Sequence, residues 1–477
     1  VSEEILINVT PQETRVAVVE NGVLQEVHIE RASHRGLVGN IYKGRVSRFL
    51  PGMQAAFVDI GLERTAFLQT AEMKYGNGAG APALVEGQDL TVQVVKDPIG
   101  TKGARLTTQI SLPARYVVYM PTSDHIGISQ KIDNEEERER LRAAVRSAMG
   151  DEPGGFILRT MAEQVSEEEL RRDIHYLRKL WQRVSERMRE PDRHGLVHED
   201  LSLVLRAMRD LVRDNIEKVR IDSREMYTKA QEFALEFVPD VAPRIEYYPG
   251  ERPIFDLYSV EDEIKRALDR RVALKSGGYL VIDQTEAMTT VDVNTGTYVG
   301  HRNLAETIFK TNLEAAHAIA RQLRLRNLGG MIIVDFIDMG DPDHKRQVLR
   351  ALERALARDR VKASIADMSA LGLVEITRKR TRESLEHLLC ETCPACKGRG
   401  VLKTPETVTY EIFREILREA RQFGTDQYLV VASQVVVDRL SDDQAQSLAR
   451  LQEFIGKPIH LQVEPLYNQE EYEVVLT

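Results

Sequence analysis

The chain is poor in cysteine and in tryptophan: 477 residues carry 3 Cys and 1 Trp, and aromatics amount to 6%. Three cysteines cannot build a disulfide scaffold, and they fit a reducing cytoplasm. No apolar run reaches the roughly 18 residues that a membrane helix needs. The longest, Met331–Phe336 and Tyr428–Ala432, have the length of strands. The opening Val-Ser-Glu-Glu has neither a basic nor an apolar stretch, so a secretory leader is not expected. There is no internal repeat and no low-complexity tail. With 42% hydrophobic and 29% charged residues the chain is not wholly disordered, and its length leaves room for about three domains. Positive charge is also in deficit: 65 Lys+Arg against 74 Asp+Glu leave −9, which argues against a generic nucleic-acid coat protein.

What is present is a mixture of strand and helix signals. Val16–Glu20 and Val23–Ile29 flank Asn21-Gly22, a pair suited to a tight hairpin because both turn positions need positive φ. From about 38 to 108, short alternating segments (39–46, 55–61, 66–68, 90–95) separated by Gly and Pro predict a small five-stranded barrel, with a Gly/Ala/Pro-rich loop at Gly76–Pro82. Ser166 and Glu169 form a capping box before Leu170, Ile174, Leu177, Trp181, Val184 and Met188, whose spacing predicts a helix with one core-facing stripe, ending near Pro191. Further helices are expected near 199–214 and 222–236. From 260 the expected order is helix (260–275), strands (279–283, 289–294), long helix (303–326), strand (331–337), helix (342–358) and strands (361–366, 372–378), a layered α/β domain. The segment 405–477 reads as helix–strand–helix–strand, a small α+β unit.

The sharpest motif is Thr290-Val-Asp292-Val-Asn294-Thr-Gly296. Residues two apart on a strand share a face, so Asp292 and Asn294 point together. Asp335 closes the apolar run Ile332-Ile-Val, where a carboxylate is costly unless paired or metal-bound. Two carboxylates at the ends of two strands of one sheet suit magnesium, which takes one or two of them and keeps water or phosphate in its other positions. The plainer alternative is that Asp292 and Asn294 start a turn and Asp335 caps the next helix. Asp338, three residues on, is expected on the other strand face.

Cys390, Cys393 and Cys396 lie in a Gly-rich segment. Structural zinc wants four ligands. Either His387 and all three cysteines close one site, or two chains each donate Cys393 and Cys396 to a shared one, or the thiols form a metal-free surface dithiol. In the barrel, Phe57 and Phe67, with Lys43, Arg45 and Lys102 near in sequence, suit single-strand binding if they face outward, and core packing if they do not. Arg159-Thr160 ends the apolar run Phe156-Ile-Leu and could grip a phosphate or be plain surface. Between 360 and 382, Arg360, Lys362, Arg378, Lys379, Arg380 and Arg382 against two acids give a local +4, either a polyanion path or a solvated face.

Five segments together, GNIYKGRVSRFLPGMQAAFVDIG (39–61), FILRT (156–160), VDVNTG (291–296), RQLRLRNLGGMIIVDFIDM (321–339) and CPACKGRG (393–400), closely resemble the bacterial ribonuclease E/G family over essentially the whole chain. The length, without a long disordered tail, is similar to its shorter members. The resemblance implies a multidomain α/β and α+β fold: an RNase H-like subdomain (1–35 and 205–267) around an inserted S1-type OB barrel (36–108) and a 5′-sensor region (109–204), then a deoxyribonuclease I-like catalytic subdomain (268–389), a zinc link (390–403) and a small domain (404–477). It implies a cytoplasmic endoribonuclease that uses magnesium to cut single-stranded A/U-rich RNA, favours 5′-monophosphorylated ends, and acts in rRNA maturation and mRNA turnover. It places the magnesium carboxylates on Asp292 and Asp335 and the orienting amide on Asn294. Zinc, shared by a homodimer, falls on Cys393 and Cys396, with tetramer assembly left open. RNA contacts fall on Phe57, Phe67 and Lys102, and the 5′-phosphate sensor on Arg159, Thr160, Lys362 and the backbone of Val118. Lys362 stands where an arginine is expected and Ala114 where a glycine is, so the strength of 5′-end dependence is open.

The expected reaction is hydrolysis leaving 5′-phosphate and 3′-hydroxyl ends. Two rivals make different demands: a non-catalytic RNA-binding assembly protein binds without scission, and a DNA-directed nuclease has no use for the barrel or sensor.

Overall fold

Asn21 and Gly22 have φ of 49° and 76°, the left-handed pair that the hairpin demands, and they join the strands Glu13–Glu20 and Val23–Arg31. The computed structural model describes the whole chain except residues 1, 34, 70–83, 99–102, 151, 191–193, 213–214, 240, 297–303 and 370. The loop expected at Gly76–Pro82 lies outside the described residues. Residues Val1–Glu386 form one unit and His387–Thr477 a second.

In the first unit the hairpin extends a five-stranded sheet whose next strands are Glu3–Val9, Ile216–Ile221 and Ile245–Tyr247. Glu3–Val9 pairs in parallel with Ile216–Ile221, so this sheet closes around a long insertion. Its core packs against the helices Leu203–Asp210 and Arg224–Phe237. The insertion begins with five barrel strands, Ile41–Leu50, Ala55–Asp59, Ala66–Gln69, Asp89–Lys96 and Arg105–Thr107, closed by pairing of the first with the fourth. A sixth strand, Gly195–His198, lies along Ile41–Lys43. Between them a four-stranded sheet packs against the helices Glu135–Met149 and Glu167–Met188. The second helix starts at the expected capping box, with Ser166 and Glu169 each satisfying the other's backbone N–H.

The last sheet of the unit has six strands in the order Arg271–Ala273, Tyr279–Gln284, Met288–Asn294, Gly330–Asp335, Leu373–Arg378, Ala363–Ile365. One face is covered by the helices Leu304–Leu325 and Pro342–Ala357. The helix expected over 260–275 stops at Arg266, because Arg271–Ala273 instead pairs as an edge strand with Tyr279–Val281. The helix expected near 199–214 is shortened to Leu203–Asp210. Charged contacts tie the long helix to the hairpin: Arg324 meets Glu20 and Glu26 at 3.0 and 2.8 Å, and Arg321 donates to the Leu24 carbonyl at 3.0 Å.

The second unit has a sheet in the order Ile459–Val463, Tyr428–Ala432, Tyr472–Leu476, packed by the helices Pro405–Gln422, Gln434–Ser441 and Ala445–Ile455. The sequence reading missed one helix and the last strand. Asp442 breaks the second helix and Gly456, in the left-handed region, caps the third, so the helical stretch is two pieces. Among the described residues no helix is long and apolar enough to cross a membrane.

Candidate active site

Val291, Val293, Ile332 and Val334 point into the helix-covered core of the six-stranded sheet. Alternation therefore turns Asp292, Asn294 and Asp335 to the uncovered face. Met288–Asn294 and Gly330–Asp335 are parallel, and their register sets Asp292 directly opposite Asp335 at the ends of both strands. The Asn294 amide donates to Asp292 Oδ2 at 2.8 Å. Gly296 then turns the chain with φ of 60°; a Cβ there would lie 2.4 Å from the Gly277 carbonyl oxygen. Partial desolvation, then the charges of Asp292 and Asp338, raise the Asp335 carboxyl above its ordinary value. The strand has already ended at Asp335, so the alternation that put Asp338 on the opposite face does not apply.

Two carboxylates set opposite one another in register on an exposed face fit a hard divalent cation. Among the described residues no three His, Cys, Asp or Glu side chains converge into a fuller cage, so such an ion would keep most of its positions for water or substrate.

Sequence reasoning missed Asn312, which is 0% exposed in the long helix. Its amide donates to the Ile337 carbonyl at 2.8 Å and accepts from the Ile337 N–H at 3.2 Å. Both polar groups are spent on one residue between Asp335 and Asp338, fixing the loop that carries the third acid. The available signal was an amide on an otherwise apolar helix face.

In the barrel, Ala56, Val58, Ala66 and Leu68 fill the core, and Phe57 and Phe67 face out, half-buried. They are register partners, with ring centroids 6.0 Å apart at 69°. Lys43 donates to the Met188 carbonyl at 3.3 Å and Arg45 to Asp89 at 2.9 Å. Lys102 lies outside the described residues.

Arg159 and Thr160 follow the strand Gly155–Leu158, which pairs Ile157 with Val118. Arg159 donates to the Ala114 carbonyl at 2.7 Å and meets Asp210 at 2.8 Å. Thr160 Oγ1 lies 2.9 Å from Ser129 Oγ, and Lys362 Nζ donates to Gln130 at 3.1 Å. The Ser129-Gln130 turn thus brings Lys362, remote in sequence, to Thr160. Asp173, on the buried stripe of the helix Glu167–Met188, accepts from the Tyr116 N–H at 2.7 Å. Burial pushes this carboxyl up to about 6. It anchors the segment leading into Val118, and a carboxylate on an apolar stripe was its only sequence signal.

Part of the basic run 360–382 is engaged within the protein, while Lys362, Lys379 and Arg380 are exposed. Arg378, 4% exposed, donates to Asp359 at 2.7 Å and to the Leu328 carbonyl at 2.8 Å, and Arg360 donates to the Leu211 carbonyl at 3.2 Å. Arg380 donates to the Gly329 carbonyl at 3.1 Å. Local charge in sequence says nothing of these tertiary partners.

In the second unit Cys393 and Cys396 share a tight turn in which Lys397 N–H donates to the Cys393 carbonyl at 2.8 Å. Backbone N–H groups of Gly400 and Gly398 pull the Cys396 thiol below its ordinary value. Cys390 is exposed. The closed single-chain set of His387 with three cysteines is not assembled, since no group of three such ligands forms among the described residues.

Comparison with known proteins shows the family to which the chain is similar. The model of the ribonuclease E/G family matches residues 111–381. The chain is 56% identical over 486 residues to ribonuclease G of Escherichia coli (strain K12), covering 99% of both. It is 53% identical over 487 residues to ribonuclease G of Haemophilus influenzae, again covering 99% of both. Against ribonuclease E of Escherichia coli (strain K12) it is 38% identical over 438 residues, 89% of this chain and 41% of that one.

Proposed function

The chain belongs to the ribonuclease E/G family, and on that premise we propose that it is a magnesium-dependent endoribonuclease of the ribonuclease G type. Its substrate on this reading is single-stranded A/U-rich RNA, among it rRNA precursors and mRNA, with 5′-monophosphorylated ends favoured. The observation that carries the reading is the register of Asp292 with Asp335 on the open face of the sheet.

Asp292 and Asp335 would hold the ion, and the Asn294 amide, donating to Asp292 Oδ2, would steady that carboxylate. Magnesium bound there would supply Lewis-acid stabilisation of phosphodiester charge and activation of water. Products then carry 5′-phosphate and 3′-hydroxyl ends. Phe57 and Phe67 offer faces for stacked bases.

Arg159, Thr160 and Lys362, with the Val118 backbone, are the groups we assign to the 5′-phosphate. Lys362 keeps the charge of an arginine and loses its fork, which weakens discrimination between 5′ ends. Ala114 spends its carbonyl on Arg159. Cys393 and Cys396 offer two thiols, so zinc would join two copies of the chain. We read the split sheet as the RNase H-like part and the six-stranded sheet as the deoxyribonuclease I-like part.

One A/U-rich RNA prepared with a 5′-monophosphate, a 5′-triphosphate or a 5′-hydroxyl, incubated with and without magnesium, tests the reading. Metal-dependent scission, fastest for the monophosphate, is expected. Binding without scission under every condition would leave the assembly-protein rival standing.

A further inference from the structure

The strand Ile41–Leu50 changes phase beside the aromatic pair. Val46 and Phe49 both pack on the barrel core, although strict alternation allows only one of two residues three apart to do so. A β-bulge between Val46 and Arg48 resolves the conflict: the register runs Val46 to Val58 and then Arg48 to Phe57. Ser47 Oγ donates to the Phe57 carbonyl at 3.1 Å and so pins the bulge to the neighbouring strand. The extra residue turns Arg48 outward, in register with Phe57. On the far side Phe67 pairs with Arg105, which donates to Gln69 at 3.0 Å. Four strands thereby present one row in register, Arg48–Phe57–Phe67–Arg105.

The other cations of the first strand are engaged, Lys43 by the Met188 carbonyl and Arg45 by Asp89. Arg48 is exposed and enters no ion pair among the described residues. A guanidinium beside an outward aromatic pair suits a polyanion that also carries flat apolar groups, which describes single-stranded RNA. We propose that Arg48, re-aimed by the bulge at Ser47, is a phosphate contact of the platform formed by Phe57 and Phe67. Bases stack on the two rings while a neighbouring phosphodiester lies in the Arg48 fork. The inference rests on the reading of the barrel as an RNA-binding face, and it adds the residue that ties affinity there to salt.

The two readings fail separately. Binding of a labelled, 2′-O-methylated A/U RNA of about ten nucleotides, within the span of one such barrel, is followed by fluorescence anisotropy at rising KCl. Neutralising one phosphate contact should reduce the slope of log K against log salt by about 0.7. Arg48→Gln is expected to show that loss with affinity about tenfold weaker at low salt, and Arg48→Lys to keep the slope. Phe57→Ala should weaken binding at an unchanged slope, because stacking releases no counterions. If Arg48→Gln leaves slope and affinity unchanged while Phe57→Ala weakens binding, Arg48 is not the contact and the platform stands. If Phe57→Ala has no effect, the platform reading falls and this proposal falls with it. Arg48 is exposed, so an unchanged melting temperature checks that the fold survives.

Discussion

The carboxylate end of the six-stranded sheet and the aromatic face of the barrel are built by the same device and do opposite things. Each sets two like side chains opposite one another across neighbouring strands, Asp292 with Asp335 in one and Phe57 with Phe67 in the other. In the sheet two carboxylates stand opposite one another, and partial desolvation, Asp292 and Asp338 together raise Asp335 above its ordinary value. In the barrel the pairing is favourable, edge of one ring to the face of the other. A pair that is satisfied within the protein suits holding a substrate in many registers. Two carboxylates held opposite one another suit a cation in a fixed geometry, and on the proposed reading the chemistry would lie there.

The comparison breaks first at the acids. Asp292→Asn is near in shape and removes one of two charges, so single-turnover cleavage should fall by about a thousandfold, with RNA affinity within a factor of about two. Equal losses in affinity and rate would mean that the acids bind and do not catalyse. Next, Phe57→Ala and Phe67→Ala should each cost about 1–3 kcal/mol of RNA affinity, read by anisotropy, with the rate at saturating RNA retained. Asn312→Ala takes the side-chain partner from the part-buried Ile337 N–H and carbonyl, at a cost of about 1–3 kcal/mol in urea melts. Cleavage should slow as the loop loosens, and Asn312→Asp, which still accepts from the Ile337 N–H, should recover less stability than activity if the acceptor matters more.

The smallest effect separates the regions by pH. With its folded value raised, Asp335 holds its proton more tightly in the native protein than in the unfolded chain. Its contribution to metal-free stability therefore falls as pH rises through the carboxylate range. Asp335→Asn should remove that slope from urea melts in chelator, and Phe67→Ala should not.

The backbone-borne part of this account was legible in the residues. Asn21-Gly22 announced its hairpin, Ser166 and Glu169 their helix start, and the strand alternation around Asp292 the open face, because turn chemistry, capping and period act locally. The matches to the ribonuclease E/G family and to ribonuclease G bear out the family read from five segments. What escaped depends on tertiary partners. Arg271–Ala273 became a strand only because Tyr279–Val281 offered an edge. Arg378 looked like a cation available to RNA until Asp359 and the Leu328 carbonyl enclosed it. Asn312 and Asp173 are polar groups on apolar helix faces, whose importance lies in backbone atoms far along the chain. The bulge at Ser47 was invisible because a one-residue phase change looks like noise in a short strand.

The central claim is that the opposed carboxylates are where RNA is cut. Its most direct test is a magnesium titration of wild type and Asp335→Asn on one 5′-monophosphorylated A/U-rich RNA, with binding followed beside cleavage. The account predicts that Asp335→Asn binds the RNA as wild type does and fails to cleave it at any magnesium concentration that saturates the wild type. Cleavage by Asp335→Asn at the wild-type rate and the wild-type magnesium midpoint would contradict it.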